Sequence, residues 1–253
     1  MAVIGIMSAM HEELAAVLAS MPGEQRVQVA GRDFWVGHWQ GHAVVAVLSR
    51  IGKVAAATTA TVLLERFQVD TLVFTGVAGG MGSGVRVGDV VVANGFVQHD
   101  MDASPLFPRH EVPLYGRARF ETDASLSAQL TNAAQQVLAQ AAYHLGAGTL
   151  AEFHLDSPQV HQGLVVSGDR FVATSTESQA LRQALPDALA VEMEGAAVAQ
   201  VCHDYAVPFA AVRTISDRAD DAAQTDFNRF IREVASSYSL AILSQWLTHR
   251  PPD

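Results

Sequence analysis

The sequence predicts an α/β protein in one domain, with a largely parallel or mixed sheet covered by helices. Short apolar runs alternate with helical patterns through much of the chain, which is the signature of strand–helix–strand units. Apolar residues make up 49% of the 253 and charged residues only 17%, a balance that supports one large core. No linker, internal repeat or low-complexity tract divides the chain.

The elements follow in order. Residues 2–8 read as the first strand and lead into a helix with apolar positions at Met10, Leu14, Val17 and Leu18. Two strands flank Gly31-Arg32 and continue to Trp39. Another, over residues 43–48, reaches Gly52, after which Lys53–Phe67 reads as a helix. Residues 71–75 form a short buried strand that ends in Gly76-Val77-Ala78-Gly79-Gly80-Met81-Gly82-Ser83-Gly84, where glycines let the backbone turn and approach a ligand. Residues 85–97 read as strand again. The irregular stretch 101–120, punctuated by Pro105, Pro108 and Pro113, reads as a functional or interface loop. Residues 122–143 read as helix, 163–167 as strand and 196–205 as a helix that stops before Pro208. The last helix starts at the N-cap pair Thr225-Asp226 and carries Phe227, Phe230, Ile231, Val234, Tyr238 and Ile242 on its apolar face.

Composition excludes several functions. The formal charge is −10 and no lysine or arginine run is present, so nucleic acid is not an expected partner. A nucleoside without phosphate meets no such objection. Cys202 is the only cysteine, which excludes a disulfide framework or a cysteine-based zinc cluster, and it reads as a helix-core residue. No apolar stretch approaches the ~20 residues that span a bilayer, and the N-terminus carries no secretory pattern. No membrane association is expected, and a cytoplasmic address follows.

Cofactor and metal motifs are absent in the same way. Gly80, Gly82 and Gly84 run as G-x-G-x-G into another strand, where a dinucleotide fingerprint needs G-x-G-x-x-G opening a helix. Gly52-Lys53 lacks the rest of a triphosphate loop, and Lys53 reads as a surface residue at a helix start. His99-Asp100 and Asp102 have no second histidine at helical spacing, so no metal is expected. Ser8, Ser167 and Ser216 stand in no G-x-S-x-G elbow. The chain is expected to work without a cofactor.

The acids are the informative residues. Glu13, Glu194 and Asp217 each follow an apolar strand-like run, and in α/β sheets ligands gather outside the carboxyl ends of the strands. Glu192 and Glu194 share one face while the chain stays extended. Asp217 reads either as a turn cap or as a functional acid, and Arg213 in the buried-looking run before it favours function, because a buried charge needs a partner. Glu13 alone would pass as a first-turn residue complementing the helix dipole.

The strings themselves carry a resemblance. Ile4-Gly5-Ile6-Met7-Ser8-Ala9-Met10-His11-Glu12-Glu13, Ile51-Gly52-Lys53-Val54-Ala55-Ala56-Ala57, Thr75-Gly76-Val77-Ala78-Gly79-Gly80, Val87-Gly88-Asp89-Val90-Val91, Val166-Ser167-Gly168-Asp169, Val191-Glu192-Met193-Glu194 and Val212-Arg213-Thr214-Ile215-Ser216-Asp217 resemble the nucleoside phosphorylase/hydrolase family. They are most similar to its 5′-methylthioadenosine/S-adenosylhomocysteine nucleosidases. The resemblance implies a twisted central mixed sheet flanked by helices, a homodimer, and hydrolysis of the bond between adenine and a 5′-thio-substituted ribose. It implies that Asp217 is the general acid, positioned by Ser216, and that Glu13 and Arg213 hold the attacking water. Glu194 and the Met193 backbone, beside Glu192, would hold the ribose hydroxyls, while Phe171 stacks on adenine and the Val172 backbone reads its edge. Residues 102–113 of a neighbouring subunit would line the 5′ pocket through Leu106, Phe107 and Pro113, with Phe227 as an intramolecular wall.

Chemistry gives these roles a reason. Breaking an N-glycosidic bond leaves a cationic sugar and an anionic base, so one carboxyl must donate a proton and another must accept one from water. Asp217 is expected above its ordinary ~3.9 and Glu13 ionised. Three departures stand out: Val77 occupies a position where many relatives have Ser, Arg50 replaces a small residue, and the segment 102–113 is longer or differently spaced. Phosphorylases of this fold carry G-D-P-x-R after the first strand and an arginine where this chain has Phe74. Met10-His11-Glu12-Glu13 and Phe74 therefore favour water over phosphate. The remaining alternatives are hydrolysis of adenosine or a deoxyfutalosine-type nucleoside, and a noncatalytic nucleoside-binding protein, which would lack one of the three acids.

Overall fold

The computed structural model describes residues 2–219 and 227–250. In chain order the elements are β1 (Val3–Ser8), α1 (His11–Ala19), β2 (Gln25–Val29), β3 (Arg32–Trp39), β4 (His42–Leu48), α2 (Lys53–Phe67), β5 (Thr71–Gly80), β6 (Val90–Gln98) and β7 (Arg119–Glu121). There follow α3 (Ala124–Leu138), α4 (Ala141–Leu145), α5 (Ala147–Glu152), β8 (Val160–Ser167), α6 (Ser175–Ala184), β9 (Ala188–Glu192), α7 (Gly195–Asp204) and β10 (Phe209–Asp217). Helix α8 (Phe227–Phe230), a π-helical turn (Ile231–Ala235) and α9 (Ser236–His249) complete the described chain.

One mixed sheet organises the molecule. Strand β5 is its hub: β1 runs parallel to residues 71–75, β10 runs parallel to residues 72–79, and β9 pairs antiparallel at Gly79 and Gly80. Strand β10 also pairs with β6, and the order β10-β6-β8-β9-β5 therefore closes on itself like a small barrel. Strands β1, β4, β3 and β2 extend from β5 as a wing.

Alternation along the strands supplies two large cores, beside a smaller cluster that includes Val97, Val166 and Val191. Ile4, Ile6, Val44, Val73, Val90, Val92 and Val212 meet α1, α3 and α9 through Leu14, Leu130, Ile242 and Trp246. Met7, Val45, Leu72, Phe74, Val91 and Ala211 point the other way, toward Leu63 of α2 and Val198 and Cys202 of α7. The β-branched residues concentrated in these strands suit a pleated surface buried on both faces. Burial pushes the Cys202 thiol up to about 12, in keeping with a packing role. No helix of the described residues is long and apolar enough to cross a membrane.

The structure differs from the sequence reading at several boundaries. The strand expected over 71–75 runs on to Gly80, because the small residues at its end accept pairing from both β9 and β10. The run 85–97 becomes strand only at Val90: the Asp89 carboxylate accepts the Arg86 N–H at 2.9 Å and closes a turn at Gly88, where φ is +87°. The helix expected over 122–143 stops at Leu138 and restarts at Ala141. Strand β7 and helices α5 and α6 had no counterpart in the reading. The expected cap at Thr225-Asp226 lies outside the described residues, and the final helix is interrupted by its π-helical turn.

Candidate active site

The carboxyl ends of β1, β5, β8, β9 and β10 meet around one cleft. Asp217 ends β10 at a β-bulge: the pairing of Ile215 with Ala78 is followed by that of Asp217 with Gly79, so Ser216 is the extra residue. A bulge re-aims the side chains around it. The Asp217 carboxyl accepts the Ser216 hydroxyl at 2.8 Å and the Ala219 N–H at 2.7 Å, each on a different oxygen. Gly79 is required opposite it, because a Cβ there would stand 2.9 Å from Asp217 Oδ1 and 2.9 Å from the Ala219 methyl.

Arg213 lies two turns of the pleat earlier and is 1% exposed. Its Nη2 meets Glu192 Oε2 at 2.9 Å, its Nη1 donates to the carbonyls of Phe74 and Val212, and its guanidinium carbon lies 4.1 Å from the centre of the Phe74 ring. Glu192 is correspondingly occupied. Besides Arg213 it accepts the Ser167 hydroxyl and the N–H groups of Glu194 and Gly195, which are orphan donors of the first turn of α7. The expectation that Glu192 and Glu194 share a strand face is corrected here. The strand ends at Glu192, whose carboxylate folds over the helix start, and Glu194 takes the N-cap position with φ −134° and ψ −42°.

Glu194 Oε1 accepts the N–H of Gly52 at 2.9 Å. Burial and the neighbouring Glu192 carboxylate both raise its pKa. Gly52 holds a φ of +93°, a conformation that glycine adopts without strain.

Glu13 is wholly buried. Its two oxygens accept the Met10 N–H at 3.2 Å and the Ser239 hydroxyl at 2.9 Å. Burial pushes it up from 4.5 to about 7, against the lowering effect of Ser239, Met10 and Arg213. The expectation of an ionised Glu13 therefore holds above pH 7 and fails well below it. A carboxylate near neutrality suits proton uptake at physiological pH.

Of the residues singled out from sequence, Val77, Phe171, Val172, Glu192, Met193, Glu194, Ser216, Asp217 and Phe227 line the cleft. Glu13 and Arg213 are buried and are not among its lining residues. Phe171 and Phe227 meet edge to face with ring centres 6.2 Å apart. Leu106, Phe107 and Pro113 do not line the cleft within this chain, and Leu106 is 83% exposed on the loop after β6.

Sequence reading missed Met10, Ile51, Ala78, Gly79 and Arg170, which also line the cleft. Ile51 carried a signal in sequence, an apolar residue beside a turn glycine, and in the structure it is 67% exposed. Lys53 needs correction. Its Nζ lies 2.6 Å from Asp100 Oδ1 and 3.0 Å from Gln98 Oε1, and it is mostly buried rather than a surface residue. Asp169 Oδ1 accepts the Lys53 N–H at 2.8 Å, and the Asp169 N–H donates to Asp100, so this cluster pins the loop that leads to Phe171.

The cleft thus offers carboxyl groups, an aromatic face and apolar walls, which fit a flat heterocycle joined to a polyol. It is poorly suited to phosphate. Arg213 spends its donors on Glu192 and two carbonyls, and Arg170 is engaged by Glu177 on α6.

Known proteins resemble this chain over nearly its whole length. A family model described as the phosphorylase superfamily matches residues 3–247. The 5′-methylthioadenosine/S-adenosylhomocysteine nucleosidase of Marinomonas sp. (strain MWYL1) is 35% identical over 243 residues, covering 96% of this chain and 97% of that protein. Among solved structures, the nucleosidase of the same description from Neisseria meningitidis, in complex with methylthio-immucillin-A, is 31% identical with a TM-score of 0.86, covering 99% of this chain and all of that one. A futalosine hydrolase from Helicobacter pylori is 30% identical with a TM-score of 0.82, covering 96% and 97% of the two chains.

Proposed function

The chain belongs to the phosphorylase superfamily, and from that premise we propose that it is a purine nucleosidase acting on 5′-methylthioadenosine, S-adenosylhomocysteine or both. The products are adenine and a 5-thio-substituted ribose. The observation that carries the reading is the convergence of Asp217, Glu194 and Phe171 on one cleft, at which both Arg213 and Arg170 are paired with carboxylates among the described residues.

In this reading adenine stacks on Phe171 with its edge along the Val172 backbone, and the ribose hydroxyls bind Glu194 and the Met193 backbone. Asp217, steadied by Ser216 and the Ala219 N–H, gives its proton to the five-membered ring as the C–N bond breaks and its electron pair moves onto the base. Water loses a proton to Glu13 and its oxygen bonds the anomeric carbon. Arg213, locked by Glu192, supplies fixed positive charge beside Glu13 and not a mobile water ligand. Val77 gives the cleft an apolar wall.

The proposal extends to a homodimer in which the 102–113 loop reaches the neighbouring cleft with Leu106, Phe107 and Pro113. Exposed Ile51, Val54, Leu106 and Leu114 support such a surface. It also extends to a cytoplasmic enzyme of methionine salvage. Hydrolysis of an aminodeoxyfutalosine-type nucleoside is the second reading, favoured by the likeness to the H. pylori futalosine hydrolase.

The test is release of adenine from 5′-methylthioadenosine in phosphate-free buffer, beside S-adenosylhomocysteine, adenosine, inosine and aminodeoxyfutalosine. Turnover of the thio-nucleosides that is unchanged by added phosphate supports the reading. A strict requirement for phosphate, or activity on inosine alone, overturns it.

A further inference from the structure

We propose that Ser239, on α9, is a positioning residue for Glu13, and that its hydroxyl, aligned by Thr75, holds the carboxylate in the orientation from which it takes the proton of the attacking water. The inference rests on the role proposed above for Glu13.

Ser239 is 2% exposed, on a helix face otherwise made by Ala235, Tyr238, Ile242 and Leu243. A hydroxyl buried among such residues costs free energy unless it is hydrogen-bonded. Here it is bonded on both sides. The Thr75 hydroxyl, from β5, lies 2.5 Å from Ser239 Oγ, and Ser239 Oγ lies 2.9 Å from Glu13 Oε1. The elements that meet at this point are 226 residues apart in sequence, so the contact is a product of the fold.

An ionised carboxylate has no hydrogen to give, which sets the sense of the chain. Ser239 must donate to Glu13 and must therefore accept from Thr75. The two hydroxyls form a chain polarised toward the carboxylate, which stabilises its charged form and fixes its plane. The other oxygen, Oε2, accepts the Met10 N–H, a donor that cannot reverse. Once Glu13 has taken a proton, only the Ser239 side can adapt. A proton on Oε1 is accepted when the Ser239 hydroxyl turns to donate to Thr75 instead, at the cost of the hydrogen bond that the Thr75 hydroxyl gave.

The helix is built to present this residue. The π-helical turn Ile231–Ala235 immediately precedes α9, and a widened turn rotates every side chain that follows it relative to a continuous α-helix. The charged groups that bear on Glu13 are Arg213 from β10, which lowers its pKa, and Glu12 from its own helix, which raises it. Helix α9 and strand β5 bring hydroxyls to it.

The test uses Ser239→Ala, Ser239→Thr and Thr75→Val with 5′-methylthioadenosine, following kcat and KM separately across pH. Loss of the Ser239 hydroxyl is expected to move the acidic limb of the kcat/KM profile upward by about 0.5–1 pH unit, because a base with one fewer donor ionises at higher pH. Above the limb, kcat should fall about tenfold with KM within about threefold, as for a group felt in the transition state. Ser239→Thr should restore the limb, and Thr75→Val should move it the same way by less. Melting curves confirm the fold, and Thr75→Val decides the matter should Ser239→Ala fail to fold. With Glu13→Gln inactive, an unmoved limb and parental kcat in these variants overturn the role of Ser239 alone. Full activity of Glu13→Gln overturns the role of Glu13 and this inference with it.

Discussion

Replacing Glu13 by Gln should make the protein more stable and less active, and the stability gain should depend on pH. Glu13 is fully buried, and its pKa rises from 4.5 to about 7, chiefly by burial. Between those values the native carboxyl keeps a proton that the unfolded chain has released. The native state therefore binds more protons, and stability falls as pH rises through the window. Below 4.5 the penalty is absent, and above 7 it is complete. At about 1.4 kcal/mol per pH unit, the full penalty is roughly 3 kcal/mol. Gln carries no charge to desolvate, and its amide can give oxygen to the Met10 N–H and N–H to the Ser239 oxygen. Urea unfolding at one protein concentration should find Glu13→Gln more stable than the parent by about 1–3 kcal/mol at pH 8 and by less than about 1 kcal/mol at pH 5. Its kcat should fall at least about 10²-fold. A variant equally destabilised at both pH values would refute the reasoning, since the loss would then come from packing and not from charge.

Three further substitutions test the site. Gly79→Ala drives a Cβ into Asp217 Oδ1 and should lower kcat by about 10²-fold, whereas Gly84→Ala, with nothing within 4 Å of the new methyl, should be neutral in the same rate assay. Arg213→Met leaves Glu192 buried without its cation and should cost about 3–5 kcal/mol in urea unfolding, part of which Arg213→Met/Glu192→Gln should recover. Lys53→Met removes the ammonium that Asp100 and Gln98 share while the backbone bonds of residue 53 and Asp169 remain, and KM for 5′-methylthioadenosine should rise about threefold with a smaller change in kcat, because the loop to Phe171 loses part of its anchor.

Much of this arrangement was legible in the residues. Helix α2 was read with its observed bounds, since Gly52 and the apolar spacing after Lys53 mark it. The three acids stand out in sequence because each follows an apolar strand-like run, although Glu13 also reads as a first-turn helix residue and Asp217 as a turn cap. What stayed hidden depends on contacts distant in sequence. Lys53 looks like a helix-start surface residue until Gln98, Asp100 and Asp169 arrive from elsewhere in the chain. Glu192 looks like a ligand-facing twin of Glu194 until the start of α7 is seen to claim it. Ser239 sits in a helix whose pattern signals packing only, and its π-helical turn shifts the phase that periodicity alone would assign. The bulge at Ser216 is likewise invisible in a run that reads as continuous strand.

If Asp217 hands its proton to the departing purine, a substrate whose leaving group needs no proton should be spared by its loss. Turnover of Asp217→Asn should be compared on 5′-methylthioadenosine and on the matching 5-methylthioriboside of 4-nitrophenol, whose anion leaves unprotonated. The loss should be at least about 10²-fold on the nucleoside and less than about tenfold on the nitrophenyl riboside. Equal losses on both substrates would contradict that role of Asp217.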